Sequence, residues 1–215
     1  MERQAPTRSP LRTRIREAQG RAILQAAEEV FSEDGLQAGR MEVVARRAEV
    51  SVGTLYNYFG DRESLLRTLL ETRRQELLES VDRAMAEGPA TFGGQLRSFL
   101  DSAFAHFQAH RTFLSLFLQE ETKSLKAKLT PPPGERTFDR LQERAERITQ
   151  RGVTEGHLRA EDGRLWSHLL VGSLHAVLVQ ELTRPSDVAS DRDPSRQVLD
   201  FFLTGAGLPQ REDQP

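Results

Sequence analysis

The chain has 215 residues, 37% hydrophobic and 29% charged, with a formal net charge of −2 and no cysteine. That charge excludes a protein that coats nucleic acid by bulk electrostatics, and the missing thiols exclude a disulfide framework, Cys-ligated zinc, iron–sulfur clusters and Cys nucleophiles. No apolar run approaches the length of a membrane span and the start lacks a signal-peptide core, so the cytoplasm is the default compartment.

Residues 1–15 are polar, contain Pro6 and Pro10, and carry Arg3, Arg8, Arg12 and Arg14. They read as a flexible arm, either merely solvated or reaching phosphates and an adjacent minor groove; both readings stay open. A first helix is expected over 16–32, where Ala22, Ile23, Ala26, Ala27, Val30 and Phe31 recur at spacings of three and four. Gly35 suits the left-handed residue that ends such a helix. A second helix over 40–48 would bury Met41, Val44 and Ala45 and turn Arg46 and Arg47 outward.

The next stretch, residues 45–62, reads as two short helices meeting at a steep angle. Ala45, Ala48 and Val50 provide small apolar packing at the corner, and Ser51 is a good N-cap for the helix that follows. Gly53 removes a side chain where something bulky approaches the backbone. Thr54, Tyr56, Asn57 and Tyr58 then present hydroxyls and an amide within two turns, while Leu55 and Phe59, four apart, pack inward. This is the pattern of a helix-turn-helix with a recognition helix of about seven residues. Gly60 breaks the chain, Asp61 caps a fourth helix, and Leu65, Leu66, Leu69 and Leu70 open it; its polar continuation runs to about residue 87 and links the small domain to the rest.

Residues 21–70, from Arg-Ala-Ile-Leu-Gln-Ala-Ala through Phe-Ser-Glu-Asp-Gly to Ser-Val-Gly-Thr-Leu-Tyr-Asn-Tyr-Phe and Glu-Ser-Leu-Leu, resemble the N-terminal domain of TetR-family transcriptional regulators. The resemblance implies an all-α fold of about nine helices: a three-helix helix-turn-helix domain followed by a larger helical domain for ligand binding and dimerisation. Four departures stand out. Gly39 and Arg40 replace the threonines usual where the second helix starts, and Glu49 takes the turn position where glycine is usual. Tyr58 stands for the common histidine and Arg62 for the common lysine.

Beyond Glu87-Gly88-Pro89 a fifth helix is expected over 95–109, with Leu96, Phe99, Leu100, Ala103, Phe104 and Phe107 on a broad apolar face. Residues 111–118 continue it with Phe113, Leu114, Leu116, Phe117 and Leu118, and the prolines at 131–133 make a loop. A seventh helix over 135–151 carries Phe138, Leu141, Ala145 and Ile148. The eighth, over 163–182, is apolar nearly all round, so a partner helix from another subunit is expected to cover it. A ninth carries Val198, Leu199, Phe201, Phe202 and Leu203 and stops at Gly205. The expected divisions are an arm over 1–15, a DNA-binding domain over 16–62, a ligand-binding and dimerisation domain over 63–207, and a tail over 208–215.

Catalytic patterns are absent: no Ser-His-Asp set, His-Glu-x-x-His motif, P-loop or dinucleotide fingerprint appears. The expectation is therefore of no enzyme and no cofactor. His106 and His110 have the spacing of a two-histidine metal site but lack a third ligand, which favours surface or boundary positions over a metal. The phenylalanine-rich stretch reads either as plain core or, as the family resemblance implies, as an apolar effector pocket. Its candidate lining is Phe99, Ala103, Phe107, His110, Phe113, Phe117, Trp166 and Leu170, with Gln108 and His168 as further polar fixtures. For double-stranded operator DNA the candidates are Arg40, Ser51, Val52, Gly53, Thr54, Tyr56, Asn57, Tyr58 and Arg62; Tyr56 and Tyr58 have hinge packing against the first or fourth helix as an alternative. A homodimer through the eighth and ninth helices would use Leu169, Leu174, Val177, Leu178, Leu199, Phe202 and Leu203. The expected function is a dimeric DNA-binding repressor released from a palindromic operator by a small, largely apolar ligand. The alternative is a ligand-independent architectural or activating protein whose larger domain only dimerises.

Overall fold

A computed structural model describes residues 10–35, 38–115, 136–160, 162–183 and 193–206. Among these, nine helical stretches and no sheet appear. They are α1 (Pro10–Asp34), α2 (Met41–Arg47), α3 (Val52–Phe59), α4 (Arg62–Glu87), α5 (Phe92–Ala109), α6 (helical over 111–115), α7 (Thr137–Thr154), α8 (Gly163–Thr183) and α9 (Pro194–Ala206). Two compact units divide the chain after Glu71, so α4 runs through the boundary. Among the described residues no helix is long and apolar enough to cross a membrane.

In the first unit the core is the stripe expected of α1, with Ile23, Ala26, Ala27, Val30 and Phe31 buried; Leu24 is buried in place of Ala22, which is exposed. Met41, Val44, Ala45, Leu55, Leu65, Leu66, Leu69 and Leu70 complete it. The helix begins earlier than its periodicity predicts. It starts at Pro10, a residue whose fixed φ and missing N–H suit a first helical position, so Arg12 and Arg14 belong to α1 rather than to a flexible arm. Residues 1–9 of the expected arm and the tail from 208 lie outside the described residues.

The loop into α2 is held by packing. A Cβ on buried Gly39 would stand 2.4 Å from the Phe31 ring, so glycine here is a steric requirement of the α1–α2 corner. The exit from α2 closes as a Schellman motif: the Val50 amide donates to Ala45 O at 2.9 Å and the Glu49 amide to Arg46 O at 3.2 Å. The same closure ends α7, where His157 N donates to Gly152 O and Gly156 N to Val153 O. Gly156 holds the left-handed position there at φ +74°, whereas after α2 Glu49 holds it at φ +54°.

In the second unit α5 begins three residues before its expected start. Thr91 caps it by accepting from the Gly94 amide, and Gly94 is tolerated inside the helix because a Cβ would meet Pro89 at 2.6 Å. Leu96, Phe99, Leu100, Ala103, Phe104 and Phe107 are buried as expected. The buried face of α7 is Thr137, Leu141, Ala145, Ile148, Thr149 and Gly152, with Phe138 only half-buried. Small and hydroxyl-bearing residues on this face let α8 approach closely: Thr149 Oγ1 donates to Gly163 O at 2.7 Å, and Gly163 sits against Gln150. A bidentate Arg144–Asp82 pair at 2.9 and 2.6 Å ties α7 to the second half of α4, where Leu77 and Val81 are buried. Asp193 caps α9 by accepting from the Ser195 amide and hydroxyl, which holds its carboxyl below the usual range.

Two backbone substitutions check this account. Glu49→Gly relieves a left-handed non-glycine residue, worth roughly 1 kcal/mol, against a smaller entropic loss in the unfolded chain. The expected result is a higher urea midpoint. Gly39→Ala overpacks Phe31 and is expected to cost ~1–3 kcal/mol. A lowered midpoint for the first or an unchanged one for the second contradicts the geometry.

Candidate nucleic-acid interface

Ser51 N-caps α3 as its sequence predicts: its Oγ accepts from the Thr54 amide at 3.0 Å and lies 2.8 Å from Thr54 Oγ1. Leu55 is fully buried and Phe59 half-buried, which fixes the rotation of the helix about its own axis. With 100° per residue, Gly53 and Asn57 then fall on the opposite side and Tyr56 beside it, while Val52, three residues before Leu55, stands on the first turn nearer the inward line; all four are exposed. Val52 and Tyr56 are among the large apolar side chains left in solvent, at 36% and 43% exposure. Thr54 stands half-buried at the margin of this face. The Cβ missing from Gly53 would meet only Ser51 Oγ, at 3.8 Å, so nothing inside the chain requires glycine there. Arg40 is exposed at the start of α2, where it makes no side-chain capping bond.

Two of the nine predicted contact residues point elsewhere. Tyr58 turns toward α1: its hydroxyl donates to Gln19 Oε1 at 2.8 Å, its ring lies 3.7 Å from where a Gly20 Cβ would be, and the Arg16 guanidinium stands 5.2 Å from the ring centroid. This is the hinge-packing alternative. Arg62 is half-buried; its Nε donates to Gly39 O at 3.3 Å and its guanidinium lies over the Phe31 ring at 5.2 Å. Gln19 and Arg16 were not among the candidates, although their spacing from Ile23 places them on one line of α1. Arg47, expected outward, forms a bidentate pair with Glu33 at 2.7 Å and approaches Glu29. The pair holds the Glu33 carboxyl below its usual range.

In the larger unit, Phe99, Ala103, Phe107, Phe113 and Leu170 are all fully buried. Phe107 and Phe113 stack at 5.5 Å with 6° between planes, and His106 meets both edge-on while lying 4.7 Å from the His110 ring. His106 is thus buried in the aromatic cluster, not at the surface. Trp166 stands with other partners: its indole N–H donates to Arg159 O, and Phe202 and the Arg159 guanidinium pack on its ring. Phe117 lies outside the described residues. Gln108 and His168 are exposed, the latter bonded to Arg164 O. A surface cleft of about 200 Å³ bounded by Met85, Phe92, Gln95, Arg147, Ile148 and Arg151 shares none of these residues. Among the described residues no group of three or more His, Asp or Glu is placed to hold a metal.

Of the predicted dimer residues, Leu174, Leu178 and Phe202 are buried within their own unit, because that side of α8 faces the unit's own core. Leu169 is 48% exposed, and Val177, Leu199 and Leu203 are half-buried. The outer line of α8 is Leu165, Leu169, Gly172, Ala176 and Val179, of which the two leucines and Val179 are exposed large hydrophobics. Phe201 on α9 is 71% exposed.

Residues 23–69 match the model of the bacterial regulatory proteins, tetR family. The N-terminal unit carries a TetR-family domain. HTH-type transcriptional regulator BetI 1 of Chromohalobacter salexigens is 29% identical to it over 98 residues, 46% of this chain and 48% of that protein. UidR of Escherichia coli is 34% identical over 77 residues, 36% of this chain and 32% of that one. The chain thus matches about half the length or less of these curated relatives. Among solved structures, the TetR-family regulator PfmR of Thermus thermophilus aligns with TM-score 0.67 and 24% identity over 87% of this chain and 99% of that one. FadR of Bacillus subtilis in complex with stearoyl-CoA aligns with TM-score 0.70 and 20% identity over 86% and 98%. These extend the TetR fold to nearly the whole chain.

The departures from the TetR pattern now have physical readings. Gly39 answers to Phe31, and Glu49 tolerates a left-handed turn without altering its hydrogen bonding. Tyr58 and Arg62 work inside the domain. Tyr58→Phe is accordingly expected to cost about 1 kcal/mol by loss of the Gln19 bond, read from chemical denaturation. A Tyr58 hydroxyl serving only as an external contact would leave the midpoint where it was.

Proposed function

We propose that this chain, with its TetR-family domain, is a DNA-binding transcriptional regulator that reads duplex DNA with the exposed residues Val52, Gly53, Tyr56 and Asn57 of α3. The observation carrying this is four exposed residues, Gly53, Tyr56 and Asn57 directed away from buried Leu55 and Val52 on the first turn, of a helix whose start is capped by Ser51. Val52 offers methyls to a thymine, Asn57 an amide to a base edge, and Tyr56 and Thr54 hydroxyls to bases or phosphates. Gly53 leaves the α3 backbone open to a phosphate, and Arg40 and the amides near Ser51 add donors. The activity proposed is binding, not catalysis.

The chain acts as a homodimer on a near-palindromic operator, with half-sites about 34–36 Å apart. Supporting this is the outer line of α8, where Gly172 and Ala176 lie between Leu165, Leu169 and Val179 and would let a second α8 approach. Repression is released by a small, largely apolar or amphipathic effector in the larger unit, acting through α4; a structural relative was solved with stearoyl-CoA. Such an effector needs about 10⁴-fold preference for one state to switch occupancy fully. A second reading, ligand-independent DNA binding, draws support from the full burial and stacking of Phe99, Phe107 and Phe113.

Gel shifts on DNA upstream of the chain's own gene are expected to show a salt-sensitive specific complex. Thr54→Ala with Asn57→Ala should lower the ratio of specific to random-sequence binding by roughly tenfold or more, each lost base contact being worth ~1–3 kcal/mol. An unchanged ratio sinks the assignment of α3. Leu165→Glu with Leu169→Glu is expected to yield monomers in light scattering at micromolar concentration, and dimers that survive it place the interface elsewhere.

A further inference from the structure

The charge of the first unit is divided in an uneven way. Residues 10–27 hold four arginines and one acidic residue, whereas residues 28–71 hold five arginines and nine acidic residues. The part of the unit that presents α3 is therefore net negative. Two of its arginines are also engaged internally, Arg47 with Glu29 and Glu33 and Arg62 with Gly39 O and the Phe31 ring. Affinity for a duplex comes largely from cations that neutralise phosphates, and this segment has a deficit of them.

The missing cations stand on α1. Because that helix starts at Pro10, Arg12, Arg14, Arg16 and Arg21 are carried on ordered backbone, all exposed. Among the described residues none of the four is in an ion pair. Their directions differ. Arg12 and Arg16 are four apart and continue the line of Gln19, Gly20 and Ile23, the line on which Tyr58 of α3 packs. Arg16 makes that contact directly, 5.2 Å from the Tyr58 ring centroid, and Tyr58 is the neighbour of exposed Asn57. Arg14 and Arg21 fall about 150° around the helix.

We infer that Arg12 and Arg16 form a phosphate-gripping ladder beside the recognition helix and supply the electrostatic grip that α2 and α3 lack. The inference rests on the reading of α3 as the DNA-contacting element. Tyr58, pinned by Gln19, serves as the platform that holds Arg16 beside α3. Phosphate contacts carry no base information, so the ladder strengthens binding to every duplex alike.

The test is a salt titration of the full chain on a random-sequence duplex by fluorescence anisotropy. It compares wild type with Arg12→Gln/Arg16→Gln and with Arg14→Gln/Arg21→Gln, glutamine being close to arginine in helix propensity. Two lost phosphate contacts should flatten the log–log salt slope by about 2 and weaken binding roughly tenfold or more at ~0.15 M salt. The Arg14/Arg21 pair should give less than half that change, and Arg12→Lys/Arg16→Lys should restore the slope. A wild-type slope in Arg12→Gln/Arg16→Gln overturns the ladder and leaves the α3 reading standing. Equal losses in both glutamine pairs overturn it in favour of undirected charge. A wild-type chain that binds no duplex at low salt overturns the ladder together with the reading beneath it. Failure of the lysine pair to restore the slope, with helicity intact by circular dichroism, also counts against it.

Discussion

Everything the first unit presents depends on how three residues join α2 to α3. Ala48, Glu49 and Val50 must reverse the chain tightly enough that Ser51 can cap the next helix at once. The Schellman closure does this by spending the Glu49 and Val50 amides on carbonyls of α2, and Ser51 then satisfies the Thr54 amide. The amides of Ala48, Glu49 and Val50 are all engaged by carbonyls of α2, so the corner is set by hydrogen bonding before any packing acts on it. Burial of Leu55 adds the remaining constraint, the rotation of α3. With angle and rotation both fixed, the identity of the outward side chains becomes a matter of sequence alone. Such a site can be rewritten without disturbing the fold.

That corner was legible because its rules are local. A hydroxyl before a short helix, a small residue in its first turn and an apolar pair four apart each act over a few residues, and the same holds for Asp61, whose carboxylate accepts from the Ser64 amide as expected. The partners of Tyr58 and Arg62 were not legible, for the opposite reason. Their partners, Gln19 and Gly39, lie 39 and 23 positions away, and an amphipathic side chain at a helix boundary gives no sign of which way it turns. Two donors whose types fit an external anion were drawn instead into the domain. The start of α1 was missed because periodicity reports burial, and the first turns of that helix bury nothing.

The second unit shows the limit of periodicity more sharply. α7 declares its direction: a single narrow stripe is apolar or small and most of the rest is charged. α8 is apolar on every side, so its sequence predicts that it must be covered without saying by what. The structure divides it. Trp166, Leu170, Val171, Leu174 and Leu178 go to the unit's own core, while Leu165, Leu169 and Val179 remain outside. Which leucine goes where is decided by α7, whose Thr149 bonds Gly163 O and whose Gln150 sits against Gly163, fixing the rotation of α8. Assigning Leu174 and Leu178 to an external face failed because that choice is made by another helix.

A further consequence concerns His106. On sequence it paired with His110 as a weak metal motif, and an isolated pair on a helix favours the surface. In the structure it is buried where Phe107 and Phe113 offer ring faces and edges, so its imidazole serves first as an aromatic packing element. A histidine in that setting brings a polar, protonatable edge into otherwise apolar surroundings, at a desolvation cost that a phenylalanine would not incur. His175 shows the direction of that cost: half-buried beside Phe138, its pKa is lowered by desolvation. The polar character of the aromatic cluster thus comes from the His106 ring, whose faces and edges pack as the phenylalanines do and leave the cluster suited to an apolar body.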